Sequence, residues 1–205
     1  IEIGNHSNRL HIENEERMML SKGLTEAIQT DSIIDVTQYL KGDTLRWTPP
    51  TSGTWRVMRI GYGPTNQKVK HGRPGMGGLQ CDNMSREAVQ VQWDNYVRPI
   101  CDTLSKIGCR PIGVDIDSHE AGPQNWTPEF NLKFKQLRGY DMMKYLPALF
   151  GYIVDNADKS EHFLSDYRRT CGDLISHEYF EAFDSLARHD NLMFTAQAIG
   201  NSLSI

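Results

Sequence analysis

The stretch "PIGVDIDSHEAGPQNWTPEF", residues 111–130, passes from a short apolar run through an acidic segment into an aromatic one. Ile112, Val114 and Ile116 alternate with Gly113, Asp115 and Asp117. A period of two marks a strand with unlike faces, here one apolar and one acidic. Asp115, Asp117 and Glu120 fall within six positions. Burying unpaired carboxylates costs several kcal/mol, so the fold must give them hydrogen bonds, a cation or solvent.

On the N-terminal side, Val89, Trp93, Tyr96, Val97, Ile100, Leu104 and Ile107 recur at spacings of three and four. This predicts a helix over 85–107, capped by Ser85 and stopped by Gly108. Pro99 should kink or split it. On the C-terminal side a helix is expected from Thr127, with Pro128 at its first position and Gly139 at its end. "MMKYLPALFGYIV" reads as a second helical piece broken by Pro147. The longest helix is expected over 158–189, with Asp158 as cap and Glu161 three residues on. Strands are expected near 78–82, 111–117 and 191–199. Strands joined by long helices need crossover connections and therefore a parallel sheet. The fold class expected is α/β, a partial (β/α)8 TIM-type barrel. A closed barrel needs ~250 residues. The 205 residues here would supply about half of one in residues 65–205, truncated at the C-terminus. Residues 1–64, with "SIIDVTQYL" and "WRVMRIGY" (55–62), read as a β-rich accessory portion.

Composition excludes several classes. The net charge is −4 and the basic residues are dispersed, against an electrostatic nucleic-acid footprint. No apolar run approaches the ~20 residues of a membrane span. The glycine-rich segment over 64–80 lacks the pattern of a phosphate loop. Of the four cysteines, none forms a CxxC pair, which argues against structural zinc. Cys101 and Cys171 fall on apolar helix stripes and read as buried free thiols.

In parallel α/β folds, ligands bind at the carboxyl ends of the strands. Glu120 lies just past such an end. Asn125 and Trp126 follow it, an amide able to match hydroxyls and an indole able to pack on a sugar ring. A carboxylic acid in such a pocket is the usual proton donor to a glycosidic oxygen. The competing reading is that the aspartates only cap the loop and the next helix.

"DSHEAGPQNWTPEFNLKFKQLRGYDMMKYLPALFGYIV", with "SEHFLSDYRRTCGDLISHEYF", "SGTWRVMRIGYGPTNQ" and "GLQCDNMS", resembles the catalytic core of the α-L-rhamnosidases of glycoside hydrolase family 106. The likeness spans nearly the whole chain in ordered blocks. It implies inverting hydrolysis of terminal α-L-rhamnosides in plant or bacterial glycans, with Glu120 as the general acid and the base on a later strand beyond Ile205. It further implies sugar contacts from Asp117, His119, Asn125 and Trp126, and a calcium ion near the sugar, with Asp82 and Asp115 as candidate ligands. Secretion to the periplasm or cell surface and association with the rest of a parent polypeptide also follow from the resemblance. The chain departs from the family pattern at His119, where Trp is usual, and at Gln80, where many relatives carry Glu. A second reading is therefore a non-catalytic carbohydrate-binding or degenerate fragment of such an enzyme.

Overall fold

The computed structural model describes residues 27–69, 75, 77–122 and 124–197. Residues 1–26 of the expected accessory portion, and 198–199 of the last expected strand, lie outside them. Among the described residues, no helix is long and apolar enough to cross a membrane.

After 3-10 turns at Thr30–Ser32 and Thr37–Tyr39, β1 (Leu40–Lys41) and β2 (Thr44–Leu45) form an antiparallel pair. Helix α1 (Arg86–Gln92) runs through a π-helical segment, Trp93–Val97, into α2 (Arg98–Lys106). Strand β3 (Gly113–Ile116), α3 (Phe130–Arg138), a 3-10 segment (Met143–Phe150), α4 (Ala157–Ile175), a π-helical segment (Ser176–Phe180), α5 (Glu181–His189) and β4 (Met193–Ala196) follow. β3 and β4 are parallel, with Val114 opposite Phe194 and Asp115 opposite Thr195. This is the crossover connection that the alternation predicts. Gly113 permits the close approach, because a Cβ there would stand 2.6 Å from the Met193 carbonyl oxygen.

The helices end where their chemistry dictates. Ser85 accepts a hydrogen bond from the Ala88 N–H, as a cap should. Pro99 falls in the first turn of α2, directly after the π segment. Its ring would clash inside a regular helix, and the wider turn before it relieves that conflict. Asn95 Nδ2 donates to the Val91 carbonyl across the same turn. Gly139 closes α3 at φ +83.

Several expectations need correction. Pro128 lies in a turn ahead of α3, which begins at Phe130 after Glu129 adopts φ +60. The cap of α4 is Asn156, accepting from Lys159 N–H, and Asp158 sits inside the first turn. Residues 78–82 form no sheet strand: Leu79 makes one isolated antiparallel bridge with Lys68. Residues 55–62 form no strand either. Val57, Ile60 and Tyr62 are exposed, so no buried face of period two rewards pairing. The β-rich character expected of 1–64 is thus confined, among the described residues, to β1, β2 and an Ile28–Val154 bridge.

Two apolar clusters hold the fold. One joins Phe130 and Phe134 of α3, Leu146 and Leu149 of the 3-10 segment, and Phe163, Leu164 and Tyr167 of α4. The other joins Val89, Trp93 and Val97 to Tyr179, Phe183 and Ala187, and carries Val114, Ile116 and Phe194 of the sheet on its flank. The apolar face of β3 thus turns to the helices as its alternation requires. Ile112, just before it, is exposed.

Asp155 pins the front segment to this body. Its carboxylate accepts from the Lys159 ammonium (2.9 Å) and the Thr30 N–H (2.8 Å). Lys159 first, and the Thr30 amide second, hold it down at about 2. A carboxyl lowered on folding stabilises above its unfolded value of about 4, and that stability is lost as pH falls through the folded value. The Tm advantage of the wild type over Asp155→Asn should therefore shrink between about pH 4 and pH 2. Thermal melts across that range check it, and a constant difference would contradict it.

Candidate active site

The carboxyl end of β3 carries the acidic segment. Asp115 accepts a short hydrogen bond from the Thr195 hydroxyl of β4, on the face turned away from the helices. Asp117 is exposed, and its Oδ1 accepts from the Ser118 N–H. Glu120 follows three residues on, half-buried, beside the buried Ala121. The strand end thus holds three acids on one short path, two of them open to solvent.

His119 uses both ring nitrogens inside the protein. Nε2 lies 2.7 Å from the Gly122 carbonyl oxygen, and Nδ1 lies 3.2 Å from Asn83 Nδ2. Asn83 Oδ1 in turn accepts from Gln80 Nε2 at 2.9 Å. The positions where this chain departs from the pattern described above, 80 and 119, therefore meet in one network. Gln124 closes it from the other side: Oε1 accepts from the Asn83 N–H, and Nε2 donates to the Cys81 carbonyl.

Beside this network lies a cavity of about 710 Å³. Tyr62, Trp126 and Tyr167 supply its aromatic wall; Asn66, Gln67, Gln80, Gln124 and Asn125 supply amides. Asn125 is exposed, and its carbonyl accepts from the Tyr167 hydroxyl at 2.7 Å. Trp126 is half-buried in an aromatic ladder, stacked on Tyr62 (5.5 Å) and tilted against Phe130 (5.1 Å), which leans on Tyr167 (4.8 Å). Its indole N–H is buried and has no acceptor among the described residues. Glu120 is not one of the residues lining this cavity. Its loop reaches the wall through Gly122, which packs on Gln67.

The residues named for calcium do not make a ready ligand set. Asp82 Oδ1 accepts from the Met84 N–H and Oδ2 from the Thr127 hydroxyl, so this carboxylate ties the 80–84 loop to the start of α3. Asp115 is held by Thr195. Among the described residues, no three His, Cys, Asp or Glu side chains converge. Calcium takes six to eight oxygens, so its ligands would have to come largely from elsewhere. The cysteines are free. Burial pushes the Cys81 thiol to about 11 and the Cys171 thiol to about 12, which keeps both protonated and unreactive at neutral pH. Cys101, expected to be buried, is half-buried.

Sequence reasoning missed Tyr62, Asn83 and Gln124. "RIGYGPTN" held a signal for the first. An aromatic between two glycines and ahead of a proline belongs to a loop, and such a loop can present a ring.

The chain matches the family model described as alpha-L-rhamnosidase, Glyco_hydro_106, over residues 8–205. It belongs to glycoside hydrolase family 106. A solved structure, the rhamnosidase from Novosphingobium sp. PP1Y, superposes with a TM-score of 0.70 at 31% identity, over 83% of this chain and 17% of that one. A curated protein of Formosa agariphila, named "Putative beta-glucuronidase", is 38% identical over 172 residues, 83% of this chain and 15% of that protein. The chain thus spans about a sixth of the length of each. The matched region contains the acidic loop, the cavity wall and both apolar clusters.

Proposed function

We propose that this chain supplies the acid half of the active site of an inverting hydrolase that cleaves terminal α-L-rhamnosides of plant or bacterial glycans. Glu120 donates the proton to the leaving oxygen. The observation that carries the reading is its position: half-buried, in the loop leaving the carboxyl end of a parallel strand, two residues before Gly122, which meets Gln67 of an aromatic, amide-lined cavity. Parallel β3 and β4, joined by a helical crossover, are read as consecutive parts of a TIM-type barrel. The base that activates water stands on a later strand outside this chain. Inverting pairs need about 6.5–9.5 Å between their carboxyls, a gap that two strand ends supply. Asp117 and Asn125 bind hydroxyls, His119 borders the sugar, and Trp126 packs on the sugar once Tyr62 swings aside. The Trp126 N–H then finds the acceptor it lacks. Such an enzyme meets its glycans at the cell surface or in the periplasm.

The cavity lining supports a rhamnoside over a glucuronide as the substrate. Among the described residues that line the cavity, none is Lys, Arg or His, and the acid is Asp82. A uronate carboxylate buried without a cation is strongly disfavoured, whereas a neutral deoxy sugar suits amides and rings. The full-length protein should release nitrophenol from aryl α-L-rhamnoside and leave aryl β-D-glucuronide untouched. Preference for the glucuronide would overturn the assignment. A second reading, carbohydrate binding without turnover, draws on the absence of Glu120 from the cavity wall. It predicts rhamnose binding with no release from either substrate.

A further inference from the structure

The network around Asn83 has a direction, and the backbone sets it. The Gly122 carbonyl only accepts, so His119 Nε2 carries the hydrogen of the neutral ring. Nδ1 then accepts, and Asn83 must present its NH₂ there. That turns Asn83 Oδ1 toward Gln80 Nε2 and the Cys81 thiol, both donors. Asn83 is 2% exposed, so turning the amide over would bury opposed donors away from water, which is strongly disfavoured. Its own N–H is fixed by Gln124. At the far end, the His119 to Gly122 bond closes a ring of chain over Glu120 and the buried Ala121. Gly122 takes φ +87, which glycine adopts without strain, beside the Gln67 side chain, so the hydrogen bond from His119 is what fixes the turn.

We propose that Gln80, Asn83 and His119 are positioning residues that, by holding His119 as the Nε2–H tautomer bonded to Gly122, fix the backbone from which Glu120 reaches its substrate. This rests on the general-acid reading above. None of the three donates the proton. They remove the backbone freedom that would let the Glu120 carboxyl drift, and misplacement by about 1 Å costs up to ~100-fold in rate.

Two readouts on the full-length protein test it. The first is the imidazole signature of ¹⁵N-histidine-labelled protein by solid-state NMR at neutral pH, with His119 assigned by its loss in His119→Ala. The wild type should show His119 as the single Nε2–H tautomer, and Asn83→Ala should show a mixture. A mixture in the wild type, or no change in Asn83→Ala, overturns the relay. The second is steady-state hydrolysis of an aryl α-L-rhamnoside. Asn83→Ala should lower kcat by about 10- to 100-fold with KM within about twofold, His119→Ala should lower kcat by a similar factor, and the double variant should be no slower than the worse single one. Multiplying effects, or a loss in Asn83→Ala carried by KM, overturn the positioning role. Failure of the wild type to hydrolyse any rhamnoside overturns the functional reading and the positioning role with it, while the ring signature decides the relay separately.

Discussion

Glu120→Gln should lower kcat on an alkyl or glycosyl α-L-rhamnoside by about 10²–10⁴-fold, the usual contribution of a positioned general acid. That range equals about 3–5 kcal/mol of transition-state stabilisation. The amide has the shape of the acid and can still donate a weak hydrogen bond, but it has no proton to give to the departing oxygen. Rhamnose affinity should change little, because on the proposed reading the sugar is held by other groups, Asn125 and the Trp126 ring of the cavity wall among them. The check is a pair of measurements on one preparation, single-turnover rate and rhamnose binding by calorimetry. A variant that binds and turns over normally would remove Glu120 from the chemistry.

The largest effect on stability should come from Phe130→Ala. Phe130 is fully buried where α3, α4 and the cavity meet, with Trp126 on one side and Tyr167 on the other. Truncation there removes apolar burial and leaves a void that the ladder cannot collapse into, at about 3–5 kcal/mol. Equilibrium denaturation should show a lowered midpoint with little change in slope. Trp126 would lose its backing, so sugar affinity should fall with stability. A loss below ~1 kcal/mol would mean that the aromatic ladder does not support the cavity wall.

The periodic parts of this protein were legible because burial has a period. The 3.6-residue stripe of 85–107 brings Val89, Trp93 and Val97 into the second apolar cluster, and the alternation of 111–117 lays Val114 and Ile116 against it; Tyr96, Ile100 and Ile107, expected on the same stripe, are exposed instead, as is Ile112. Positions 55–62 misled because β-branched and aromatic residues were present without a buried face to enforce pairing. Asn156 won the cap over Asp158 because cap choice depends on where the chain turns, and composition alone does not encode that. The site was half legible. An acid at the end of a strand is a local pattern, but the link from Gln80 through Asn83 to His119 joins residues far apart in sequence. The ring of Tyr62 reaches Trp126 in the same non-local way. Those contacts follow from tertiary geometry, which no spacing rule along the chain reveals.

The central claim is that Glu120 protonates the leaving oxygen of a rhamnoside, and leaving-group dependence tests it most directly. Dinitrophenolate departs without a proton, whereas an alkoxide does not. The ratio of wild-type to Glu120→Gln rates, measured on dinitrophenyl, nitrophenyl and alkyl α-L-rhamnosides, should climb steeply as the leaving group becomes more basic and stay near one for dinitrophenyl. An equal loss across all three substrates would contradict the account.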